Sequence, residues 1–448
     1  MRNQYPQDRY QTTGGNKAKN TSTMLSHLNN RQFLALALGL AILLRLMAMP
    51  FFAHVDLFSE CRRVFYALEN GYFLENSHRV SVYYIELVFA AFSTLFIDVS
   101  DGLFHLADPK SSTASLVDYS FFLNDPNLYR HLFFFKLPYL MFDLATAAVI
   151  WHFVDDSKLR KLALLIWLFN PVTFFATYIF GRFEVIGLFF LAFTALQLKA
   201  RNPILACLSF VLALHSREIN LMFAPFLLLA LIDHKDHWLR TTIALSIYTL
   251  IIGFLYWLPA PLLSALGGNT QLFIPSSGVH ETHAVKKLMS MGYHWFYPII
   301  VAFGGLAIYA WESGEKSHEQ RYVICCAVAL FIYFGFNVHS IHYAAWLTLF
   351  PILSLQFNRK VVLPFFIFIG AWMVLWLFKT DQGVFTLFLA APLSPDLIGK
   401  GYFPGYFNQH WATPEFNLKQ ATSILRSAFF ISMAFFAYRM LRPSQKKA

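Results

Sequence analysis

Residues 158–201, KLRKLALLIWLFNPVTFFATYIFGRFEVIGLFFLAFTALQLKAR, contain two apolar runs, 162–180 and 183–199, bracketed by basic clusters. Each run approaches the ~20 residues that a helix needs to cross a hydrocarbon core of ~30 Å. Lys and Arg mark the cytoplasmic ends of membrane helices, so Lys158/Arg160/Lys161 and Lys199/Arg201 lie on one side. The apex Gly181-Arg182-Phe183-Glu184 then lies on the other. This hairpin sets the register for the rest of the chain.

Working outward, Lys235/Arg240, Lys316/Arg321, Arg359/Lys360 and Arg439/Arg442/Lys446/Lys447 fall on the cytoplasmic side. Between them, 204–216, 219–233, 241–258, 292–311, 322–338, 343–357, 361–378 and 420–441 alternate up and down. Toward the N-terminus, 132–154 and Gln32–Phe52 are further spans, the latter too long for a signal core and so uncleaved. Segment 81–98 breaks the alternation. It carries Glu86 and ends in Asp98 and Asp101, so it reads as an outside or half-embedded helix. The expected fold is therefore all-α, a polytopic bundle of about twelve spans. Both ends are cytoplasmic and the large loops 53–131, 259–291 and 379–419 lie outside, with tight apices near Arg182, Arg217 and His339. Residues 1–30 are polar and read as a disordered cytoplasmic tail. No internal repeat of the transporter kind is visible.

Composition excludes the soluble classes. Charged residues make up only 13% of the chain, against about 25% in soluble proteins. The net charge of +10 sits in short clusters between apolar runs and forms no basic stripe with interleaved aromatics, so no nucleic-acid partner is expected. Four Cys are too few for a disulfide framework.

In the first loop, His54-Val55-Asp56-Leu57-Phe58-Ser59-Glu60-Cys61 opens a stretch with apolar residues at 57, 58, 61, 64, 65 and 68, the period of an amphipathic helix lying on the membrane. Asn70-Gly71 stops it. Asp56 starts that helix, either as its cap or as a working carboxylate, and Glu60 follows one turn later. Lys136 and Asp143 share a face, about 10 Å apart along the axis. Lys136, near the outer end, suits snorkelling, and the deeper Asp143 suits a structural partner on another span. Asn170-Pro171 reads as a proline kink or as irregular backbone lining a wet cavity.

The next hairpin is unusually short. From Arg201 to Arg217 is about 24 Å of helix, so His215-Ser216-Arg217-Glu218 is expected at or below the outer surface. A cation at that depth suits a lipid phosphate. His339 and His342 are spaced i, i+3, but no third ligand is near in sequence, so hydrogen bonding is favoured over metal. Lys286-Lys287 could meet anionic headgroups.

These residues resemble the GT-C superfamily of membrane glycosyltransferases, which use polyprenyl-phosphate sugars. The resemblance is carried by Asp56 after the first span, by the second outside helix Val82–Ile97, by Asn170-Pro171…Gly181-Arg182-Phe183-Glu184, and by His339…His342-Tyr343…Pro351. It covers most of 31–357, which would form the catalytic module including loop 53–131. Residues 358–448 add C-terminal segments with loop 379–419. The chain departs from the pattern in having no Asp-x-Asp in the first loop, Glu184 where many members have Asp, and Arg217 where many have Lys.

The resemblance implies an inverting transfer of a hexose such as mannose from a polyprenyl-phosphate donor to a lipid- or glycan-type hydroxyl acceptor on the non-cytoplasmic face. Asp56 is the expected base, with Glu60 and Glu184 as second choices. Arg217 is the expected phosphate ligand, supported by Lys136 and Arg182, with Glu218, His339 and His342 nearby. No cofactor is required, and a divalent metal is not indicated. No Asn-x-Ser/Thr occurs in the outside loops, which favours a bacterial inner membrane. A transporter or sugar-lipid flippase, and an inactive scaffold, are the competing readings.

Overall fold

A computed structural model describes residues 30–54, 56–57, 60–61, 64–65, 68, 80–97, 127–232, 238–258, 298–313, 316–336, 341–379, 403–413 and 417–441. The expectations for the tail, for 99–126, for loop 259–291, for most of loop 379–419 and for His339 lie outside these residues.

All regular elements among the described residues are helical. In order they are α1 (Asn30–Ala48), α2 (Val80–Ser93), α3 (Leu128–Phe135), α4 (Leu137–Phe153), α5 (Ser157–Leu168), α6 (Glu184–Lys199), α7 (Pro203–Ser216), α8 (Ala224–Leu231) and α9 (Trp238–Trp257). They continue with α10 (Pro298–Glu312), α11 (His318–Phe336), α12 (Trp346–Ser354), α13 (Val362–Lys379), α14 (Phe403–His410) and α15 (Leu418–Leu441). Six continuous helical stretches are long and apolar enough to cross a membrane: Arg31–Ala48, Leu128–Phe153, Ser157–Ile179, Leu239–Trp257, Arg359–Phe378 and Leu418–Leu441.

The described parts of the other six expected spans are largely helical too, but shorter or more polar. The arms flanking Arg217, Pro203–Ser216 and Ile219–Leu231, are among the short ones. By its length α7 spans about 21 Å. Helix α2 belongs to the same shorter group, with the length of α7. Its Glu86 is buried and accepts a 2.6 Å hydrogen bond from the Tyr139 hydroxyl, which removes the cost of an unpaired polar group there. Ser81 Oγ donates to Leu212 O at 3.1 Å, tying α2 to α7.

Helices α6 and α7 pack side by side at the centre, with α4, α11 and α12 against α6. Local chemistry sets their ends. Asp156 caps α5 by accepting from the backbone N–H groups of Lys158 and Leu159, and Asn202 caps α7 through Leu205 N. At the far end of α6, Lys199 donates to Phe153 O and to Asp155, and Arg359 pairs with Asp156. Lys199, Asp155, Asp156 and Arg359 thus gather at one end of the bundle. Arg182 and Arg217 lie at the other.

Inside the bundle, Asp143 is a structural partner, as its depth suggested. Its carboxylate accepts from Arg45 Nε at 2.6 Å, from the Tyr178 hydroxyl at 2.7 Å and from Trp167 Nε1 at 2.8 Å. The Arg45–Asp143 pair is buried on both sides. Removing one partner strands the other charge, so Arg45→Met is expected to cost about 3–5 kcal/mol, whereas Arg45→Met with Asp143→Leu restores most of it. Thermal denaturation in detergent compares the three proteins.

Candidate functional site

The site is built on the segment after α5. Asn170 Oδ1 accepts from Val172 N at 2.9 Å and Pro171 occupies the first helical turn, so the Asn-Pro pair restarts a helix rather than ending one. After one turn, Pro171–Phe174, the chain widens into a π-helix, Phe175–Ile179. Phe180 N then donates to Phe175 O and Arg182 N to Ala176 O, which closes the widened turn. Such turns are frequent at functional sites.

The chain reverses at Gly181, whose φ of +79° lies where L side chains are strained. A Cβ there would also come within 2.8 Å of Leu57 Cδ2. Leu57 is the neighbour of Asp56, so the bare α-carbon lets the first-loop helix rest on the apex. Gly181→Ala is expected to lower stability by about 1–2 kcal/mol from the backbone alone, more with the clash, read as a drop in Tm. Next to this contact, His54 N donates to Phe180 O at 3.1 Å and the two rings stack at 3.8 Å. A second close approach lies below: a Cβ on Gly187 would collide with the Ser216 hydroxyl and lie 2.8 Å from the Trp346 ring. It lets α6 and α7 bring their charged ends together.

Four charged side chains alternate in sign across these contacts. Asp56 Oδ2 accepts from Arg182 Nη1 at 2.8 Å, and Glu184 Oε1 lies 3.6 Å from Arg182 Nη2. The same Glu184 oxygen accepts from Arg217 Nη2 at 2.8 Å, and Arg217 Nη2 also meets the Tyr343 hydroxyl at 3.3 Å. Both guanidinium groups flank the Phe183 ring, and Arg217 also lies over Tyr343. Burial opposes the charge on each arginine, yet Glu184 beside both raises their pKa above the ordinary value. They remain cations at any working pH.

Exposure divides the chain into roles. The Glu184 side chain is 1% exposed and Arg217 14%, whereas Asp56 is 38% exposed. Glu184 is therefore the buried brace between two cations, and Asp56 is the accessible carboxylate. Among the described residues, Nε of Arg182 and Nε of Arg217 have no hydrogen-bond partner. Arg217 itself is extended at the end of α7, where the buried Asn220 secures the turn by donating to Ala213 O at 2.7 Å.

The structure thus brings Asp56, Arg182, Glu184 and Arg217 together. His342 joins through rings, 4.3 Å from Phe180 and 4.2 Å from Tyr343. Glu60 is half-buried one turn beyond Asp56. The Glu218 side chain lies outside the described part. Lys136 is not part of this cluster: its ammonium is fully buried and donates to the backbone carbonyls of Met49, Phe52 and Tyr178. Snorkelling is accordingly not what it does. Sequence reading missed Arg45, Asn220 and the roles of His54 and Tyr343. Arg45 carried a usable signal, a lone charge inside an apolar span.

Together these features describe an all-helical protein with membrane-length apolar helices and a cluster of alternating charges at one end of its bundle. Compared with known proteins, the chain matches no family model and no curated protein.

Proposed function

We propose that the chain is an integral-membrane glycosyltransferase of the GT-C kind, with about twelve spans, that moves a sugar from a polyprenyl phosphate to a hydroxyl acceptor on the non-cytoplasmic face. The observation that carries the reading is the Asp56–Arg182–Glu184–Arg217 chain, in which an exposed carboxylate stands beside two braced cations. That is the pairing such a transfer needs.

In this reaction the Asp56 carboxylate takes the acceptor hydroxyl proton while that oxygen attacks the anomeric carbon. The bond from carbon to phosphate oxygen breaks, and the electron pair leaves with polyprenyl phosphate. Single displacement inverts the anomeric centre. Arg217 and Arg182 face the developing phosphate charge, and a guanidinium fork suits phosphate geometry. Glu184 holds both forks in place. The short arms of the Arg217 hairpin support a site at headgroup depth, and the missing Asn-x-Ser/Thr in the expected outside loops favours a bacterial inner membrane.

The test uses purified protein in liposomes with a polyprenyl-phosphate sugar and lipid or glycan acceptors. Release of polyprenyl phosphate with formation of the glycoside is the expected result. Movement of intact sugar lipid across the bilayer, with its glycosidic bond uncut, would instead make the chain a flippase.

A further inference from the structure

We propose that Lys136 is a positioning residue, an ammonium clamp that joins the two backbone segments carrying Asp56 and Arg182. Lys136 stands at the break between α3 and α4, and its side chain is fully buried. Its three donors match three carbonyls: Met49 O and Tyr178 O at 3.0 Å each, and Phe52 O. Among the described residues no carboxylate pairs with it.

The identity of those carbonyls gives the inference. Met49 lies directly after α1 and Phe52 three residues further on, and Tyr178 lies in the closing turn of the π-helix Phe175–Ile179. Carbonyls at helix ends lack intrahelical donors and carry the negative end of the helix dipole. One ammonium answers both ends. Asp56 lies four residues beyond Phe52, and Arg182 four beyond Tyr178. The clamp therefore fixes the spacing of the stems on which the 2.8 Å Asp56–Arg182 pair is mounted. The contact of His54 N with Phe180 O lies between clamp and pair, at the same junction. Tyr178 extends the lock inward, since its hydroxyl donates to Asp143.

The test reads geometry first. His54→Cys with Phe180→Cys places two thiols where the backbones are hydrogen-bonded and the native rings stack at 3.8 Å. In the full-length protein in membranes, mild oxidant should crosslink this pair readily. Adding Lys136→Met should slow crosslinking at least about ten-fold. A control pair, Thr194→Cys with Ser209→Cys, stands at the α6–α7 contact, where the two hydroxyls lie 2.9 Å apart. It should crosslink equally with and without Lys136→Met. Lys136→Gln, which keeps two of three donors, should fall between.

The catalytic consequence rests on the proposed transfer reaction: Lys136→Met should lower kcat far more than it raises donor KM. The crosslinks read the clamp whether or not the protein transfers sugar. Unchanged crosslinking of the first pair overturns the proposal, as does loss of both pairs, which would make Lys136 a global fold determinant. An intact first pair with only donor KM raised would return Lys136 to the carrier phosphate.

Discussion

Asp56→Asn is expected to abolish the proposed transfer, with turnover falling by about 10²–10⁴-fold, while expression and Tm stay close to those of the unaltered protein. Asparagine still caps a helix start and still accepts a hydrogen bond from Arg182 with its amide oxygen, but it cannot take the acceptor proton. The site makes this substitution informative because Asp56 is the exposed end of the charge chain. Glu184→Gln provides the contrast. Glu184 is buried between two guanidinium groups, so neutralising it weakens two contacts and lowers Tm together with activity. Rates normalised to folded protein separate the two behaviours. If Asp56→Asn turns over within a few-fold of the unaltered protein, Asp56 is only a cap and an ion-pair partner.

Arg217→Ala is expected to reduce both donor binding and turnover, by about 10²–10³-fold in kcat if one phosphate donor is lost. It also takes the closest cation from the buried Glu184, leaving Arg182 at 3.6 Å, and such a loss costs about 3–5 kcal/mol. Arg217→Lys isolates the electrostatic part. An ammonium keeps the charge for Glu184, but it lacks the planar fork that contacts Glu184 and Tyr343 together. Partial recovery is therefore expected, with stability restored further than turnover. Release of polyprenyl phosphate in liposomes is the measurement. Full activity in folded Arg217→Ala protein would remove Arg217 from the phosphate site.

Much of this site was legible from residues alone. Asp56, Arg182, Glu184 and Arg217 stood out because a charge beside an apolar run is costly and so is seldom idle. Asp143 stood out for the same reason. Lys136 obeyed the rule and still misled. Its spacing from Asp143 along one helix was visible, but the carbonyls that hold it belong to segments 87, 84 and 42 residues away in sequence. Nothing in the sequence marks a backbone carbonyl as lacking a donor. Tyr343 and Asn220 were hidden because a hydroxyl or an amide in an apolar chain is common and acquires meaning only from its neighbour.

Helical class, the succession of apolar runs and the placing of basic clusters between them are local properties. Hydrophobic length and charge bias act on each segment separately, and so the sequence by itself determined them. Which charges meet was decided by tertiary structure. The Asp56–Arg182 pair spans 126 residues and the Arg45–Asp143 pair 98, distances over which no periodicity carries information. Both depend on how closely helices approach, which small contacts set: Gly181 under Leu57, and Gly187 against Ser216 and Trp346. Close packing allows few such arrangements, and a sequence states only which residues are available for them.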